Sequence, residues 1–429
     1  MRFCAFLIGV VLYAQAPGTP ADSTPRKLTV EEAEALAVKQ NPRISAALLD
    51  ALAANQVTIE IRSNFYPQIF GLVTGAGGEY NTRIAAGGLN ASTVYNRFAG
   101  GAAVSQLITD FGRTGELVQS AKLRAQSFDQ RSEFSRALVL VQVRRAFYAA
   151  LRARSVLRVA EQTVATRSIV ADQVTALAQS NLKSGLDASF ANVNLAEAKL
   201  LLSQARNEVR ASDADLSSAI GFAQPQVFDL VETSMPEPPV SEPAPMIQTA
   251  LKERADVQSA RSELAAAQRF TSAEAALSRP TISAAAVAGV APVHGEGVQD
   301  HYSAAGVTLS IPVFNGRLFS ARREEADLRA RAVSERVRDL EIQVARDVQV
   351  AWLNTTNAFE RVKLTDELLR QATLALELSQ ARYDLGLSSI VELTQAQLGK
   401  TAAEIQRATA IYEFQIQTSV LAYQQGLLK

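Results

Sequence analysis

Cysteine is all but absent from this chain: Cys4 stands alone in 429 residues, and it lies inside an apolar N-terminal stretch. Met1-Arg2-Phe3-Cys4-Ala5-Phe6-Leu7-Ile8-Gly9-Val10-Val11-Leu12-Tyr13-Ala14-Gln15-Ala16 has a basic start, a short apolar core and a small-x-small end. That is the pattern of a secretory signal peptide over residues 1–16, cleaved after Ala14 or Ala16. The mature chain then has no disulfide, no thiol nucleophile and no cysteine to carry a lipid. Histidine is nearly as scarce. His294 and His301 share a glycine-rich loop with no thiol or carboxylate cluster, which argues for a surface loop and against a metal site. Aromatic residues make up 6% of the chain and alanine fills the apolar seams, a composition that suits helices packed closely along their length better than a thick globular core. Neither sign of charge is in excess, with 43 basic and 43 acidic residues, so nothing points to nucleic acid. After the first residues no run of 18 is apolar throughout, which predicts no membrane-spanning helix. An exported chain that enters a membrane without one does so as closed β-structure.

Catalytic constellations are missing as well. No nucleophile faces a base and no paired acids share a cleft. The glycines at Gly75, Gly77, Gly78, Gly87 and Gly88 lack the lysine and the strand-to-helix setting of a phosphate loop. Asp110 and Asn315 read as helix caps, and Trp352 as a packing residue. The sequence predicts neither an enzyme nor a cofactor.

Proline is missing from two long stretches, and these organise the chain. From Gly112 to Gly185 small apolar residues recur at steps of three and four: Val118, Ala121, Ala125, Phe128, Val139, Ala146, Ala149, Ala153, Val156, Ala160, Val170, Val174 and Leu177. That is a heptad seam on a helix about 110 Å long, too long for a compact domain to bury. Gly185, in Asn181-Leu182-Lys183-Ser184-Gly185-Leu186, is expected to supply the positive φ that turns the chain into a returning helix ending at Ile220. The second stretch opens at Asn315-Gly316-Arg317. Its seam is Ala326, Ala330, Val333, Val337, Leu340, Val344, Ala351, Ala358, Leu368, Ala372 and Ala375, and it turns at Ala381-Arg382-Tyr383-Asp384-Leu385-Gly386-Leu387 into a helix running to about Gln425. Phe147 precedes Gly185 by 38 positions and Trp352 precedes Gly386 by 34, which predicts one extra helical turn in the first arm.

The segments before each long helix also repeat. A capping box at Thr29-Val30-Glu31-Glu32 starts a helix to Gln40, and Asn41-Pro42 starts the next, to about Asn64. Arg254-Ala255-Asp256 opens its counterpart, to about Ser278, after a short helix at 246–253. Tyr66-Pro67 and Arg279-Pro280 each precede glycine-rich, β-branched sequence that reads as a pair of strands, at about 67–79 and 95–108, and at about 281–291 and 302–313. Residues 222–245 hold six of the fourteen prolines and read as an extended belt between the halves. The chain thus divides into a signal peptide at 1–16, a first repeat at 17–245 and a second at 246–429.

This order resembles the TolC family, the outer-membrane channel proteins of efflux pumps and type I secretion systems. The matching pieces are Asn41-Pro42, the degenerate Arg254-Ala255-Asp256, the strand exits Ser105-Gln106-Leu107-Ile108-Thr109-Asp110-Phe111-Gly112-Arg113 and Ile311-Pro312-Val313-Phe314-Asn315-Gly316-Arg317, and the tips at Gly185 and Gly386. Ala381-Arg382-Tyr383-Asp384-Leu385-Gly386 with downstream Glu392 is the most specific. The resemblance implies an α+β membrane protein in which long helical hairpins form a trimeric α-barrel across the periplasm. Four strands from each protomer would complete a twelve-stranded β-barrel in outer-membrane lipid. It implies an exit channel for small toxic compounds, drugs or metal ions, with a periplasmic adaptor and an inner-membrane pump as partners. The runner-up is a type I secretion duct, and a pore-less periplasmic scaffold or adaptor is the alternative of a different class.

By the same resemblance, Ser184, Gly185, Leu186, Leu385, Gly386, Leu387 and Ser388 form the adaptor-docking tips. Glu392, Gln395, Asn194, Tyr383 and Asp384 line a pore constriction, and Asp110, Gly112, Asn315 and Gly316 mark the strand-to-helix exits. Carboxylates arranged around an axis attract cations. Glu392 and Gln395 align with Ala191 and Asn194 in the first half, which predicts a thin ring. Ser388 stands where some members carry a basic residue, so no ionic lock is expected there. Tyr383 and Asp384 are placed to hydrogen-bond across to the neighbouring hairpin. No metal site is implied.

Overall fold

Both proline-free stretches are long helical hairpins in the computed structural model, which describes residues 26–76, 83–84, 92–93, 97–238, 242–294 and 299–428. The expected signal peptide, the end of the first predicted strand (77–79) and the start of the second (95–96) lie outside the described residues. The first half runs β1 (Arg26–Leu28), α1 (Val30–Gln40), α2 (Pro42–Arg62), β2 (Gln68–Ala76), β3 (Arg83–Ile84), β4 (Ser92–Thr93), β5 (Arg97–Thr109), α3 (Arg113–Gln179), α4 (Gly185–Ile220) and β6 (Phe228–Leu230). The second runs α5 (Ala244–Glu253), α6 (Ala255–Ala275), β7 (Thr281–Val293), β8 (His301–Ser310), α7 (Leu318–Asp384) and α8 (Ile390–Gln424).

The duplication is regular enough to number. Helices α3 and α7 both have 67 residues, about 100 Å. Leu318 follows Arg113 by 205 positions, as Asp384 follows Gln179 and Trp352 follows Phe147. The first arm therefore has no extra turn, and that expectation is overturned. Upstream, Pro42 and Ala255 begin helices of 21 residues each, 213 positions apart. The difference between the two offsets falls in the first β-hairpin.

Local chemistry sets the helix ends. Thr29 and Glu32 form the expected capping box, and Asn41 accepts the Arg43 N–H (2.9 Å) with Pro42 in the first turn. Helices α4 and α8 end at Gly221 (φ +111°) and Gly426 (φ +76°), each pressed onto the start of the other helix of its half. A Cβ at Gly426 would lie 2.9 Å from the Arg254 nitrogen, and one at Gly221 the same distance from the Asn41 Cα. Gly426→Ala is therefore expected to cost at least about 1–3 kcal/mol from its backbone conformation alone. Gly399→Ala, which meets open space inside α8, should gain about 1 kcal/mol of helix propensity. Thermal unfolding of the two variants side by side checks both signs.

Helix α3 packs along α4, α2 and α6, while α7 packs along α8, α6 and α5, giving a wall and no central core. Its thickest part lies at the waist. There Leu28, Val139, Val143, Phe147, Leu216 and Ile220 form one cluster, and Met246, Val257, Val344, Val348 and Leu421 another against which Trp352 packs. The belt is partly strand: β6 pairs in parallel with β1, Leu28 opposite Leu230, and anchors the N-terminal segment. In α7 the buried stripe runs Ala351, Thr355, Ala358, Val362 and Thr365. Leu368 and Ala375 of the expected seam are exposed, as is Leu177 in α3, because near the tips each hairpin has helices on fewer sides.

One helix departs from the sequence reading. Pro42–Phe65 is long and apolar enough, by length and composition, to cross a membrane, and 11% of its apolar window is buried. Leu48, Leu49, Leu52 and Ile59 lie on its free surface.

Strands β2, β5, β7 and β8 form one antiparallel sheet in that order, with outer edges unpaired among the described residues. The last strand stops at Ser310, short of the predicted 313. Pro312 brings no N–H to the ladder, and Val313 and Phe314 are exposed. Rows of partners such as Gln68, Ser105, Ala285 and Gly306 define one face, and Ile69, Val104, Ala286 and Ala305 the other. The first face carries Gln68, Ser105, Ser283, Thr308 and Ser310, with Phe70, Leu72 and Tyr302 higher up. The second is apolar apart from Gln106, Thr109, Ser303 and His301, and presents Val73, Ile282, Val290, Val307 and Leu309. Tyr302 lies across Gly101 and Gly289, where an added Cβ would sit within 2.5 Å of ring or hydroxyl atoms.

Candidate gate and docking site at the hairpin tips

The free ends of the two arms share the same backbone bonds at three successive positions. After α3, Asn181 adopts φ +59° and donates to Ala178 O (3.0 Å), and Leu182 donates to Leu177 O (2.9 Å). After α7, Gly386 adopts φ +72° and donates to Tyr383 O (3.0 Å), and Leu387 donates to Arg382 O (2.8 Å). Both returning helices start from a serine cap. Ser184 accepts from the Asp187 N–H (3.1 Å), and Ser389 from the Glu392 N–H (3.3 Å). The pairs Asn181/Gly386, Leu182/Leu387, Ser184/Ser389 and Asp187/Glu392 all keep the 205-residue offset.

Two expectations are corrected by this register. Gly185 is the first residue of α4 with open space around it, and the left-handed residue is Asn181, whose short polar side chain tolerates that conformation. The acidic counterpart of Glu392 is Asp187. Ala191 is buried in the cluster that joins the hairpins, with Ala171, Val174, Ile390 and Leu393, and Asn194 donates to Thr394 Oγ1 (3.0 Å) as a tie between α4 and α8. Tyr383 meets the other hairpin through its ring, over which Lys183 Nζ sits 4.4 Å from the centroid, while its buried hydroxyl has no partner among the described residues. Asp384 accepts from Gln380 of its own helix (2.9 Å).

Around these turns Leu182, Leu186, Leu385 and Leu387 are each about two-thirds or more exposed. Sequence reasoning missed Leu182, which the offset identifies as the twin of Leu387. Ser388 carries no charge, and Lys183 stands at the matching place on the other tip. Glu392 pairs with Arg382 (3.2 Å) at an exposed site, where such a contact contributes little to stability. Gln395 is exposed and one turn beyond Glu392.

At the other end, Asp110 accepts from Gly112 N (3.2 Å), Thr114 N (2.7 Å) and Thr114 Oγ1 (2.6 Å), so it caps α3 as expected. Asn315 is not such a cap: α7 starts from Arg317 at φ +70° with no side-chain cap. The positive-φ pairs are Phe111 with Gly316 and Gly112 with Arg317, one residue displaced from the expected Gly112/Gly316 pairing. A cavity of about 550 Å³ lies at this junction, lined by Gln68, Ser105, Thr281, Ser283 and Ser310 of the polar sheet face together with Asp110, Arg113 and Arg279. His294 Nε2 lies 2.7 Å from Asp300 Oδ1, and no group of three metal-ligating side chains occurs among the described residues.

A model of the family described as outer membrane efflux protein matches the chain twice, over residues 35–222 and 246–423. The chain belongs to this family. The two matches fall on the two halves that the 205-residue offset relates, so the duplication is a family feature. Efflux proteins of this family are channels, which removes the chain from the enzymes. Solved structures share the fold. CusC, described through the conformational changes of folding and transmembrane channel formation, is 17% identical, with a TM-score of 0.79 and 92% of each chain covered. A membrane protein from Pseudomonas aeruginosa is 19% identical with a TM-score of 0.78, covering 92% of this chain and 93% of that one. The open state of the MtrE outer membrane channel from Neisseria gonorrhoeae is 17% identical with a TM-score of 0.74, covering 93% and 89%. No curated protein sequence matches the chain.

Proposed function

We propose that three copies of this chain close into one duct, a β-barrel in the outer membrane continued by a helical tunnel in the periplasm, through which an inner-membrane pump expels small toxic compounds, drugs or metal ions. The observation that carries this reading is the sheet. Four strands with two open edges and both faces exposed are not stable alone in water or in lipid, where every backbone group needs a partner. Joining β8 of one copy to β2 of the next removes all the edges. The polar face, continuous with the junction cavity, then lines the lumen, and the face with Val73, Val290, Val307 and Leu309 meets lipid. The apolar free face of α2 is covered in the same assembly by the neighbouring copy. A pore-less scaffold gives no role to a sheet of this kind.

The tips form the periplasmic mouth. Leu182, Leu186, Leu385 and Leu387, with Gly185, Gly386, Ser184 and Ser388 between them, present a surface suited to an adaptor's helical tips. Asp187 and Glu392 place two carboxylates per copy beside it. Outer-membrane fractionation followed by planar-bilayer recording tests the duct: the expected result is a heat-sensitive trimer that conducts ions, and a soluble monomer without conductance refutes it. At the tips, Gly386→Val should abolish efflux because valine resists φ +72°, while Gly185→Ala should support normal efflux. Drug susceptibility of cells carrying each variant, with trimer levels matched, reads the difference.

A further inference from the structure

Arg167 has no evident task in the duct. It lies on α3 about 18 Å from that helix's tip end, it is 4% exposed, and its buried Nη1 has no hydrogen-bond partner among the described residues. Burial holds its pKa below the ordinary guanidinium value, an effect that the charge of Glu197 on α4 only partly offsets. Packing does not demand an arginine here, because the matching position of the other long helix, 205 residues on, is Ala372. The side chain lines a cleft of about 80 Å³ between α3, α7 and α8 whose other polar walls are Gln162, Thr163, Thr166, Gln397, Lys400, Thr401 and the carboxylate Glu404. Lys400 Nζ reaches Glu404 at 3.4 Å and keeps donor capacity to spare. Two cations and two amides converge on a space the size of one small ion, against one carboxylate, Glu404, that Lys400 already holds; that leaves donors for an anion, and the planar guanidinium favours oxygen pairs over a spherical ion.

We propose that a small inorganic oxyanion, phosphate or sulfate, binds in this cleft between Arg167 and Lys400 and ties α3 to α7 and α8 above the mouth. The inference stands apart from the duct reading, since it concerns one chain's own helices. The test uses the purified full-length protein in detergent and chloride buffer, with radiolabelled sulfate and phosphate in separate equilibrium dialyses at constant ionic strength. Saturable binding of one ion per chain is expected, weakened by roughly tenfold or more in Arg167→Met and several-fold in Lys400→Gln. The thermal midpoint should rise with either oxyanion in the unmodified protein and stay constant in Arg167→Met. Without oxyanion, Arg167→Met should melt above the parent, because an unpaired buried charge has gone. Absence of saturable binding, or binding unaffected by both substitutions, overturns the proposal. So does a preference for acetate over both oxyanions, which would assign the cleft to a carboxylate. If Arg167→Met does not fold, Lys400→Gln and Arg167→Lys decide the same question.

Discussion

Val307→Arg should remove the protein from the outer membrane, while Thr308→Arg, one residue along the same strand, should leave it there. Both positions are exposed in β8, so neither substitution disturbs packing within the chain. They differ in which face they occupy. Val307 stands in the row of Gln106 and Ala284 on the apolar face, and Thr308 in the row of Leu107 and Ser283 on the face that continues into the junction cavity. An arginine facing lipid in a β-barrel costs up to about 2–4 kcal/mol at the midplane and less toward the interfaces, and a trimer incurs it three times. That is comparable to the whole stability of an ordinary domain, about 5–15 kcal/mol. An arginine facing a water-filled lumen costs little and alters conductance instead. The check is the amount of heat-sensitive trimer in isolated outer membranes. Equal amounts for the two variants would mean that the strand does not separate lipid from water.

Much of this architecture was legible because it is periodic. Heptad spacing gave both long helices, the capping box at Thr29 and the Asn41-Pro42 start gave the helix limits near the waist, and β-branched residues between glycines gave four strands to within a few residues. The errors came from choices that depend on neighbours in space. A glycine near a turn reads as the left-handed residue, yet Asn181 takes that role, and misplacing it by four positions produced both the false extra turn and the pairing of Glu392 with Ala191. Ile311 and Val313 have strand-like side chains, but Pro312 between them cannot join a ladder. Leu368 and Ala375 keep the heptad beat where no helix of the same chain covers them. For α2 the mean apolarity was hidden by Arg43, Asp50, Glu60 and Arg62, which interrupt every long apolar run while leaving its free face rich in leucine and isoleucine.

Replacing Asp187 with Asn and Glu392 with Gln together should bring the cation preference of the open channel close to none at low salt. In the proposed trimer the two positions would supply six carboxylates at the mouth, one of each at equivalent places in the two hairpins of every copy. Their effects should be unequal. Glu392 shares its charge with Arg382 at 3.2 Å, which cancels much of its field at a distance. Asp187 is held by the Ser184 cap, accepting the Ser184 N–H at 3.2 Å, and has no cation bonded to it among the described residues. Asp187→Asn alone should therefore shift the reversal potential more than Glu392→Gln alone, and asparagine keeps an oxygen for the cap. Screening supplies an internal control. The Debye length is about 10 Å at 0.1 M salt and about 3 Å at 1 M, so the difference between parent and double variant should be large in the dilute solution and nearly vanish in the concentrated one. Reversal potentials across a bilayer under a KCl gradient measure both. An unchanged potential in the double variant at 0.1 M would place these carboxylates away from the ion path and leave the tips as a docking surface alone.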